Sequence, residues 1–248
     1  MSPRDVALLI DVIAGMLEGL GRVAVGASSP IPAAAAMLAR ERGGGRPEVS
    51  VLGSGAHSDM TDGGRELFDR AGQGRIDAFF LGGVQIDGGA NINLIGTGPY
   101  PTADRRFPGS YGSAYLYFVV PRVILFRLEH SPRTLVEKVD FVSAPGTSPP
   151  EVYRPGGPYA LVTGRCVFRF DAARGRFRLA SLHPGHSLDE VRAATGFDFD
   201  CADDPPVTPA PSAKTMALLR GPIGANLAEV YPRFAARFLG HGRAAKAR

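Results

Sequence analysis

The alternation of short apolar runs with helical segments in the first half of this chain is what most constrains its fold. An amphipathic segment that Ser2 can cap and Gly21 can end opens the chain. The apolar runs Arg22–Gly26 and Glu48–Leu52 follow, with a helix beginning near Pro30 between them, and Asp77–Leu81 comes next. Strands separated by helices are typical of parallel β-α-β units. The pattern predicts an α/β fold.

The second half of the chain has a different pattern of predicted elements. We expect further strands at Asn91–Ile95, Val123–Leu128 and Val139–Val142, and then an antiparallel meander of short strands: Tyr159–Thr163, Cys166–Phe170 and Arg176–Leu182. Ser187 and Glu190 form a capping box that opens a helix ended by Gly196. We predict one domain over residues 1–202. Residues 203–248 would hold a Pro-rich linker, a short helix at Ala213–Arg220 and a weakly structured basic tail.

Charge, cysteine usage and hydropathy exclude several classes of protein. The formal net charge is +4 and no interior basic stripe carries interleaved aromatics, so we expect no nucleic-acid partner. Cys166 and Cys201 are far apart and have no CxxC partner, which predicts a reduced cytoplasmic protein without a zinc site. No apolar run approaches 18 residues, and Asp5, Asp11 and Glu18 interrupt the first one. We therefore expect neither a membrane span nor an export signal.

Four loops rich in small residues follow predicted strands: Gly53–Gly55, Gly82–Gly83, Gly96–Gly98 and Gly109–Ser113. In open α/β sheets, ligands bind beyond the carboxyl ends of the strands, where glycine lets backbone amides approach them. Any one of these glycines is more simply a turn former, but four such loops together favour a binding site. None has the pattern of a P-loop or of a dinucleotide fingerprint.

Other polar residues have simpler interpretations. His57, Ser58, Asp59 and Asp62 are close in sequence, but they lie in a loop with no second histidine nearby, so we expect solvated loop residues and no metal site. His183 and His186 occupy a turn between a strand and a helix and are expected to be structural. Glu129, Glu137 and Glu151 are conceivable nucleophiles, although surface pairing is the simpler interpretation. No GxSxG elbow is present.

Several motifs, taken in order, resemble the β subunits of class I coenzyme A transferases of the glutaconate type. The block LGGVQIDGGANINLIGTG (Leu81–Gly98) has that family's pattern, except that Ala90 stands where its last glycine would fall. PGSYGSAYL (Pro108–Leu116) and LVEKVDFVSAPG (Leu135–Gly146) are similar to its next two segments. The stretch Gly156–Phe199, which contains SLHPGHSLDEVRAATGF, resembles its C-terminal signature. With the weaker SVLGSGA block, the resemblance runs from about Val23 to about Leu219.

The resemblance implies a fold, a partner and a site. The fold would have three layers, with a mainly parallel open sheet and flanking helices. The partner would be an α subunit in an α2β2 or larger assembly, with an acyl-CoA pocket at the subunit interface. Coenzyme A would enter as part of the substrate, with no tightly bound cofactor and no metal. The pocket residues would come from the glycine loops: Ser54, Gly55, Gly82, Gly83, Gln85, Gly109, Ser110, Gly112 and Ser113.

One position departs from the family in a way that affects catalysis. In the glutaconate type an E-S-G motif supplies a glutamate that forms a glutamyl-CoA thioester, and here Gly53 stands in its place. Glycine cannot perform covalent catalysis. The sequence therefore predicts no catalytic residue in this chain. Three functions stay open: a transferase β subunit that shapes the pocket, the β subunit of a hydrolase that opens a cyclic keto acyl-CoA with the glutamate on its α subunit, and a non-catalytic stabilising or regulatory partner.

Overall fold

The structure is a computed structural model that describes residues 1–241. The chain divides into two compact units. Unit 1 contains residues 1–67, residues 75–78 and the chain from Pro209 onward, and unit 2 contains residues 68–74 and 79–208. The single domain predicted for residues 1–202 stays a prediction.

Unit 1 begins with helix α1, Pro3–Gly15. Ser2 and Asp5 form a reciprocal capping box at its start, and the predicted apolar face, including Leu9, Ile10 and Ile13, is fully buried. Helix α2, Pro30–Arg42, packs against α1 through a run of buried alanines. Small side chains let the two helices approach closely, which explains why so alanine-rich a segment is buried.

The strands of unit 1 are parallel, as the sequence predicts. Strand β1, Arg22–Val25, pairs with β2, Glu48–Val51, in the register Arg22↔Glu48 to Val25↔Val51. Val23 also pairs in parallel with Ala78, the first residue of β3, Ala78–Leu81. The Asp77 carboxylate accepts hydrogen bonds from the backbone amides of Gly21 and Arg22, at 2.7 and 2.8 Å, which fixes the start of β1. Helix α3, Gly63–Gly72, follows β2 in the chain.

The C-terminal part of unit 1 is more helical than the sequence predicts. The helix predicted at Ala213–Arg220 is present as α6, Ala213–Leu218. It is followed by π-helical turns at Leu219–Ile223, helix α7 at Gly224–Val230, helix α8 at Pro232–Phe234 and further π-helical turns at Ala235–Leu239. The prediction of a weakly structured tail is therefore wrong as far as Leu239. The reason is burial, because Ile223, Leu227 and Leu239 are buried and α7 packs against α2. The end of that tail lies outside the described residues.

Unit 2 contains the remaining residues of β3, four long strands and two helices. Beside β3 lies β8, Arg122–Arg127, which is parallel to β9, Pro158–Thr163. Antiparallel pairing then adds β10, Cys166–Asp171, and β11, Arg176–Leu182, which confirms the predicted meander. Helix α4 spans Ser113–Val119, and α5 spans Leu188–Ala194 with the predicted capping box of Ser187 and Glu190. Phe168, Phe177 and Phe197 form an aromatic core against the meander.

Short two-residue strands occupy the region between β3 and α4. Strand β4, Gln85–Ile86, pairs with β5, Ile92–Asn93, and β6, Gly96–Thr97, pairs with β7, Arg105–Arg106. The strand predicted at Asn91–Ile95 is therefore much shorter than expected.

The strand predicted at Val139–Val142 is wrong. Two side chains, and not a neighbouring strand, accept the hydrogen bonds of its first two backbone amides. Asp87 Oδ2 accepts from the Val139 amide at 3.4 Å, and Gln85 Oε1 accepts from the Asp140 amide at 3.0 Å. The parallel sheet, the flanking helices and the antiparallel C-terminal strands otherwise agree with the predicted fold class.

The Pro-rich segment after Asp203 is extended. The Thr208 amide donates to the Leu182 carbonyl at 2.7 Å, and Leu182 and Val207 form a parallel bridge. Both cysteines are free thiols. Among residues 1–241, the structure contains no helix that is both long enough and apolar enough to cross a membrane.

Candidate functional site

The loop Gly53–His57 follows β2 and turns tightly back on it. The Val51 amide donates to the His57 carbonyl at 2.7 Å, and the Ser54 amide donates to the Val51 carbonyl at 3.1 Å. The Ser54 hydroxyl oxygen accepts from the His57 amide at 2.9 Å, and the side chain is buried. Gly53 has φ +87°, a left-handed conformation that favours glycine, so the geometry of the turn explains why a glycine stands at position 53.

A carboxylate reaches this loop from the C-terminal helix α7. Glu229 Oε2 accepts a hydrogen bond from the Ser54 hydroxyl at 2.6 Å, and Oε1 accepts one from the Gly55 amide at 3.0 Å. These hydrogen bonds, with the Ser54 bond contributing most, lower the pKa of the Glu229 carboxyl. Glu229 is exposed, so its carboxylate is ionised at neutral pH and can be reached from solvent. Sequence reasoning missed it, since no motif surrounds Glu229 and its partners Ser54 and Gly55 are 175 and 174 residues away.

His57 makes a second connection between the loop and α7. Its imidazole lies close to the Glu229 carboxylate and to the backbone of Asn226, both on α7. Burial lowers the pKa of the His57 imidazole, and the nearby Arg40 lowers it further. The ring is therefore neutral at physiological pH and acts as a hydrogen-bonding group.

The other polar residues of this stretch are structural. The Asp59 carboxylate accepts from the Ser50 hydroxyl at 2.5 Å and pairs with Arg22 at 2.7 Å. Asp62 forms an exposed ion pair with Arg65. Within residues 1–241 no group of three or more His, Cys, Asp or Glu side chains is arranged to hold a metal ion.

In unit 2, Gln85 is the centre of a hydrogen-bonded network, and Gly82 and Gly83 precede it in the chain. Gln85 is buried; its Nε2 donates to Asp140 Oδ2 at 3.0 Å, and its Oε1 accepts from Asn93 Nδ2 at 2.7 Å. Asp140 Oδ2 also accepts from the Gly98 amide at 2.9 Å. A Cβ on Gly83 would lie 2.6 Å from both the Gln85 carbonyl oxygen and Ile92 Cγ2, so this glycine allows close packing. The network orders the loop, and both ends of the Gln85 side-chain amide take part in it.

Asp87 holds the turn between β4 and β5. Its Oδ1 accepts from the backbone amides of Gly89 and Asn91, at 3.1 and 3.0 Å, and both of its oxygens accept from Asn91 Nδ2 at 3.1 Å. Ala90 lies at the tip of the turn with φ +59°. A left-handed backbone favours glycine, which explains why the family that this sequence resembles has glycine at this position.

The fourth predicted loop, Gly109–Ser113, forms a separate cluster around Phe68. Gly109 has φ +107°, and a Cβ on Gly112 would collide with the Phe68 ring. The Ser113 amide donates to the Ser110 carbonyl at 2.8 Å. Tyr111 packs against Phe68 with ring centroids 5.4 Å apart and is nonetheless 83% exposed. This loop presents an aromatic surface to solvent.

The predicted pocket residues thus fall into three groups. Ser54 and Gly55 belong to unit 1, in the loop that binds Glu229. Gly82, Gly83 and Gln85 lie in one short stretch of unit 2, and Gly109, Ser110, Gly112 and Ser113 form another cluster there. That all of them line one acyl-CoA pocket stays a prediction.

The three glutamates considered as nucleophiles are placed at the surface. Glu129 pairs with Arg133 at 2.8 Å and with Arg127 at 3.2 Å, and the hydrogen bond from Arg133 is the main cause of the lowered pKa of its carboxyl. Glu137 and Glu151 are exposed. Surface pairing is thereby confirmed for Glu129.

The buried histidines and Cys166 are inert. His183 Nε2 donates to the Thr163 carbonyl at 3.1 Å, and Nδ1 lies 3.0 Å from Thr208 Oγ1. His130 lies between the hydroxyls of Thr163 and Thr195, at 2.8 and 2.9 Å. Burial lowers the pKa of each histidine to about 4 and raises that of Cys166 to about 12. The structural interpretation of His183 agrees with these contacts.

Comparison with known proteins assigns the chain to a family. Residues 35–194 match the coenzyme A transferase family. The B subunit of 3-oxoadipate CoA-transferase from Pseudomonas knackmussii is 33% identical over 153 residues, which cover 59% of this chain and 58% of that protein. The B subunit of glutaconate CoA-transferase from Acidaminococcus fermentans is 34% identical over 128 residues, covering 49% and 47%.

A third relative is a hydrolase subunit. The IpdB subunit of the cholesterol ring-cleaving hydrolase from Rhodococcus jostii is 31% identical over 160 residues, covering 63% of this chain and 62% of that protein. The solved structure of IpdAB from this organism has a TM-score of 0.77 and 26% identity, and covers 88% of this chain and 93% of the matched one. The aligned regions span roughly half to three fifths of the lengths of the three curated relatives. The family match covers more than half of the chain, in the region where the motifs occur in order, and the chain belongs to the coenzyme A transferase family.

Proposed function

We propose that this chain is the β subunit of a two-subunit enzyme that acts on acyl-CoA thioesters. Family membership over residues 35–194 is the observation that carries the proposal. Its named relatives are B subunits, and the solved IpdAB structure pairs two subunits. We expect an α subunit to be the partner and coenzyme A to enter as part of the substrate.

The exposed aromatic side chains of unit 2 support a partner surface. Tyr111 is 83% exposed and Tyr153 86% exposed, and Tyr100 stacks on Phe141 with ring centroids 5.1 Å apart while remaining 60% exposed. Tyrosine is enriched at protein interfaces because it combines apolar area with a hydrogen-bonding hydroxyl. These side chains fit burial against an α subunit.

Two reactions are candidates, and a different observation favours each. The identity to two transferase B subunits favours transfer of coenzyme A from an acyl-CoA to a free acid. Gly53, in place of the glutamate that the family motif carries, favours hydrolytic ring opening of a cyclic keto acyl-CoA, as in the hydrolase to which IpdB belongs. A non-catalytic partner role is the third possibility.

Co-production with an α subunit of this family tests the proposal. The purified complex is incubated with acetyl-CoA or succinyl-CoA, with and without glutaconate or 3-oxoadipate as acceptor acid, and separately with a cyclic keto acyl-CoA. Formation of the acceptor's CoA thioester supports a transferase, and ring opening of a cyclic keto acyl-CoA that retains its CoA supports the hydrolase. Failure of the two chains to form a complex, or a complex inert toward every thioester, contradicts the proposal.

A further inference from the structure

We propose that Glu229 is the reacting carboxylate of the Gly53–Gly55 loop. The carboxylate that position 53 lacks would then come from the same chain, delivered by helix α7. This inference rests on the proposed function, because the carboxylate needs an acyl-CoA thioester to react with. It replaces the expectation that this chain contributes no catalytic residue.

The position of Glu229 is the first support. Its carboxylate binds the side chain of Ser54 and the backbone of Gly55, the two residues that directly follow Gly53. The loop follows β2, a strand of the parallel set, and ligands of α/β folds bind beyond the carboxyl ends of such strands. Glu229 is exposed, so a substrate can reach it.

The bonding of Glu229 is the second support. Glu129, Glu48 and Asp11 are held by arginines, which hold such carboxylates as surface ion pairs. The donors to Glu229 are neutral: one hydroxyl and one backbone amide. Neutral donors keep a carboxylate ionised without placing a cation over the oxygen that must attack.

The same two donors serve the chemistry at its next step. A Glu229 oxygen attacks the thioester carbonyl carbon, the C–S bond breaks, and CoA leaves as its thiolate, so that an acyl-glutamyl anhydride forms. The thiolate then attacks the Glu229 carbonyl carbon, and the donor acid leaves as its carboxylate. Glutamyl-CoA remains on the enzyme. When Oε1 makes the first attack, Oε2 becomes the oxyanion in the second, and the Ser54 hydroxyl, which donates to Oε2, is placed to stabilise it. The Gly55 amide faces Oε1, the oxygen that leaves with the donor acid.

A glutamate at position 53 itself would be poorly accommodated. Gly53 has φ +87°, which strains any residue with a side chain. The loop conformation therefore fits a carboxylate that arrives from outside.

The test uses the full chain in complex with its α-type partner. The complex is incubated with succinyl-CoA, trapped with borohydride or hydroxylamine, and mapped by peptide mass spectrometry. We expect the modification on Glu229. Glu229→Gln should lower the rate of CoA transfer at least about 1,000-fold, because the nucleophile is lost. The matched control is Glu137→Gln, an exposed glutamate of unit 2 whose removal should change the rate less than twofold.

A second variant separates chemistry from folding. Ser54→Ala leaves the Glu229 carboxylate in place but removes one oxyanion donor, so we expect kcat to fall about 100-fold while Glu229 is still modified. Thermal unfolding of each complex verifies that it remains folded.

Three outcomes contradict the assignment of Glu229. They are a modification found only on the α subunit or on another glutamate, a Glu229→Gln complex as active as wild type, and a rate loss from Glu229→Gln with no modification of Glu229 in the wild type. A wild-type complex inert toward all thioesters overturns the proposed function, and this assignment with it. An active complex that lacks the Glu229 modification overturns the assignment alone.

Discussion

Glu229 Oε2 lies 2.6 Å from Ser54 Oγ, although the two residues are 175 positions apart in the sequence. With the Gly55 amide, this contact ties the C-terminal helix α7 to the loop after β2. The same contact is the basis for assigning Glu229 as the reacting carboxylate. Its contribution to stability can be measured separately from its contribution to catalysis.

The connection predicts a small pH dependence of stability. The folded-state pKa of Glu229 lies below its ordinary value, so its contribution is present above the unfolded value, near 4.5, and is lost as pH falls through the folded value. Because Glu229 is exposed, we expect Glu229→Gln to lower the free energy of unfolding at pH 7 by no more than about 1 kcal/mol. Urea denaturation should show the difference between the two proteins shrinking as the pH falls below 4.5. A difference that does not shrink on acidification would contradict this.

The buried histidines predict a larger acid sensitivity. Burial lowers the pKa of His130 and His183 to about 4, below the ordinary 6.5, so the unfolded chain binds more protons between these values. Stability is therefore complete above pH 6.5 and falls toward pH 4, by on the order of 2 kcal/mol per histidine at pH 5. His183→Gln should reduce this slope in urea titrations. An unaltered slope in His183→Gln would show that burial does not govern the titration of His183.

Gly83 is predicted to be required for packing. A Cβ there would lie 2.6 Å from the Gln85 carbonyl oxygen and from Ile92 Cγ2, so Gly83→Ala should cost about 1–3 kcal/mol of unfolding free energy. Gly15→Ala is the control, because nothing lies within 4 Å of its Cβ position and helix α1 gains from alanine. Calorimetric unfolding compares the two. A Gly83→Ala protein as stable as wild type would mean that this loop readjusts freely.

Ala90 is predicted to tolerate glycine unusually well. A φ of +59° costs an alanine about 1–2 kcal/mol. Glycine avoids that cost but lacks the buried methyl group of Ala90, and the two effects oppose each other. Ala90→Gly should therefore change the free energy of unfolding by less than about 1 kcal/mol. Ala34→Gly, at an equally buried position of helix α2, should cost more, since helix propensity and burial are both lost. Equal losses in the two variants would argue against strain at Ala90.

The exposed tyrosines predict self-association of the chain without its partner. Exposed apolar patches are unusual on monomers, and Tyr111 and Tyr153 are more than four-fifths exposed. Sedimentation velocity should show concentration-dependent oligomers of the isolated chain, and Tyr111→Ser combined with Tyr153→Ser should reduce them. Addition of the α-type protein should replace the oligomers with a defined complex. A wild-type chain that stays monomeric at all concentrations would count against a missing partner.

Local patterns determined much of the fold. The buried face of α1, the capping boxes at Ser2 and Ser187, the parallel pairing of β1 with β2 and the antiparallel meander follow from periodicity and turn chemistry within a few residues. The ordered motifs also identified the family, because their spacing is a property of the sequence itself. Val139–Val142 failed as a strand because distant side chains, Gln85 and Asp87, accept its amide hydrogen bonds.

The sequence alone shows that position 53 carries no carboxylate. The tertiary structure is needed to show that Glu229 brings a carboxylate to this loop. Glu229 follows the last resembling motif and has no local signature. Its place depends on the packing of α7 against α2 and on the burial of Leu227, contacts between segments far apart in the chain. Such contacts depend on how apolar faces fit together in three dimensions, which the periodicity of either segment does not specify. Folding therefore brings the charged Glu229 carboxylate to the loop after β2.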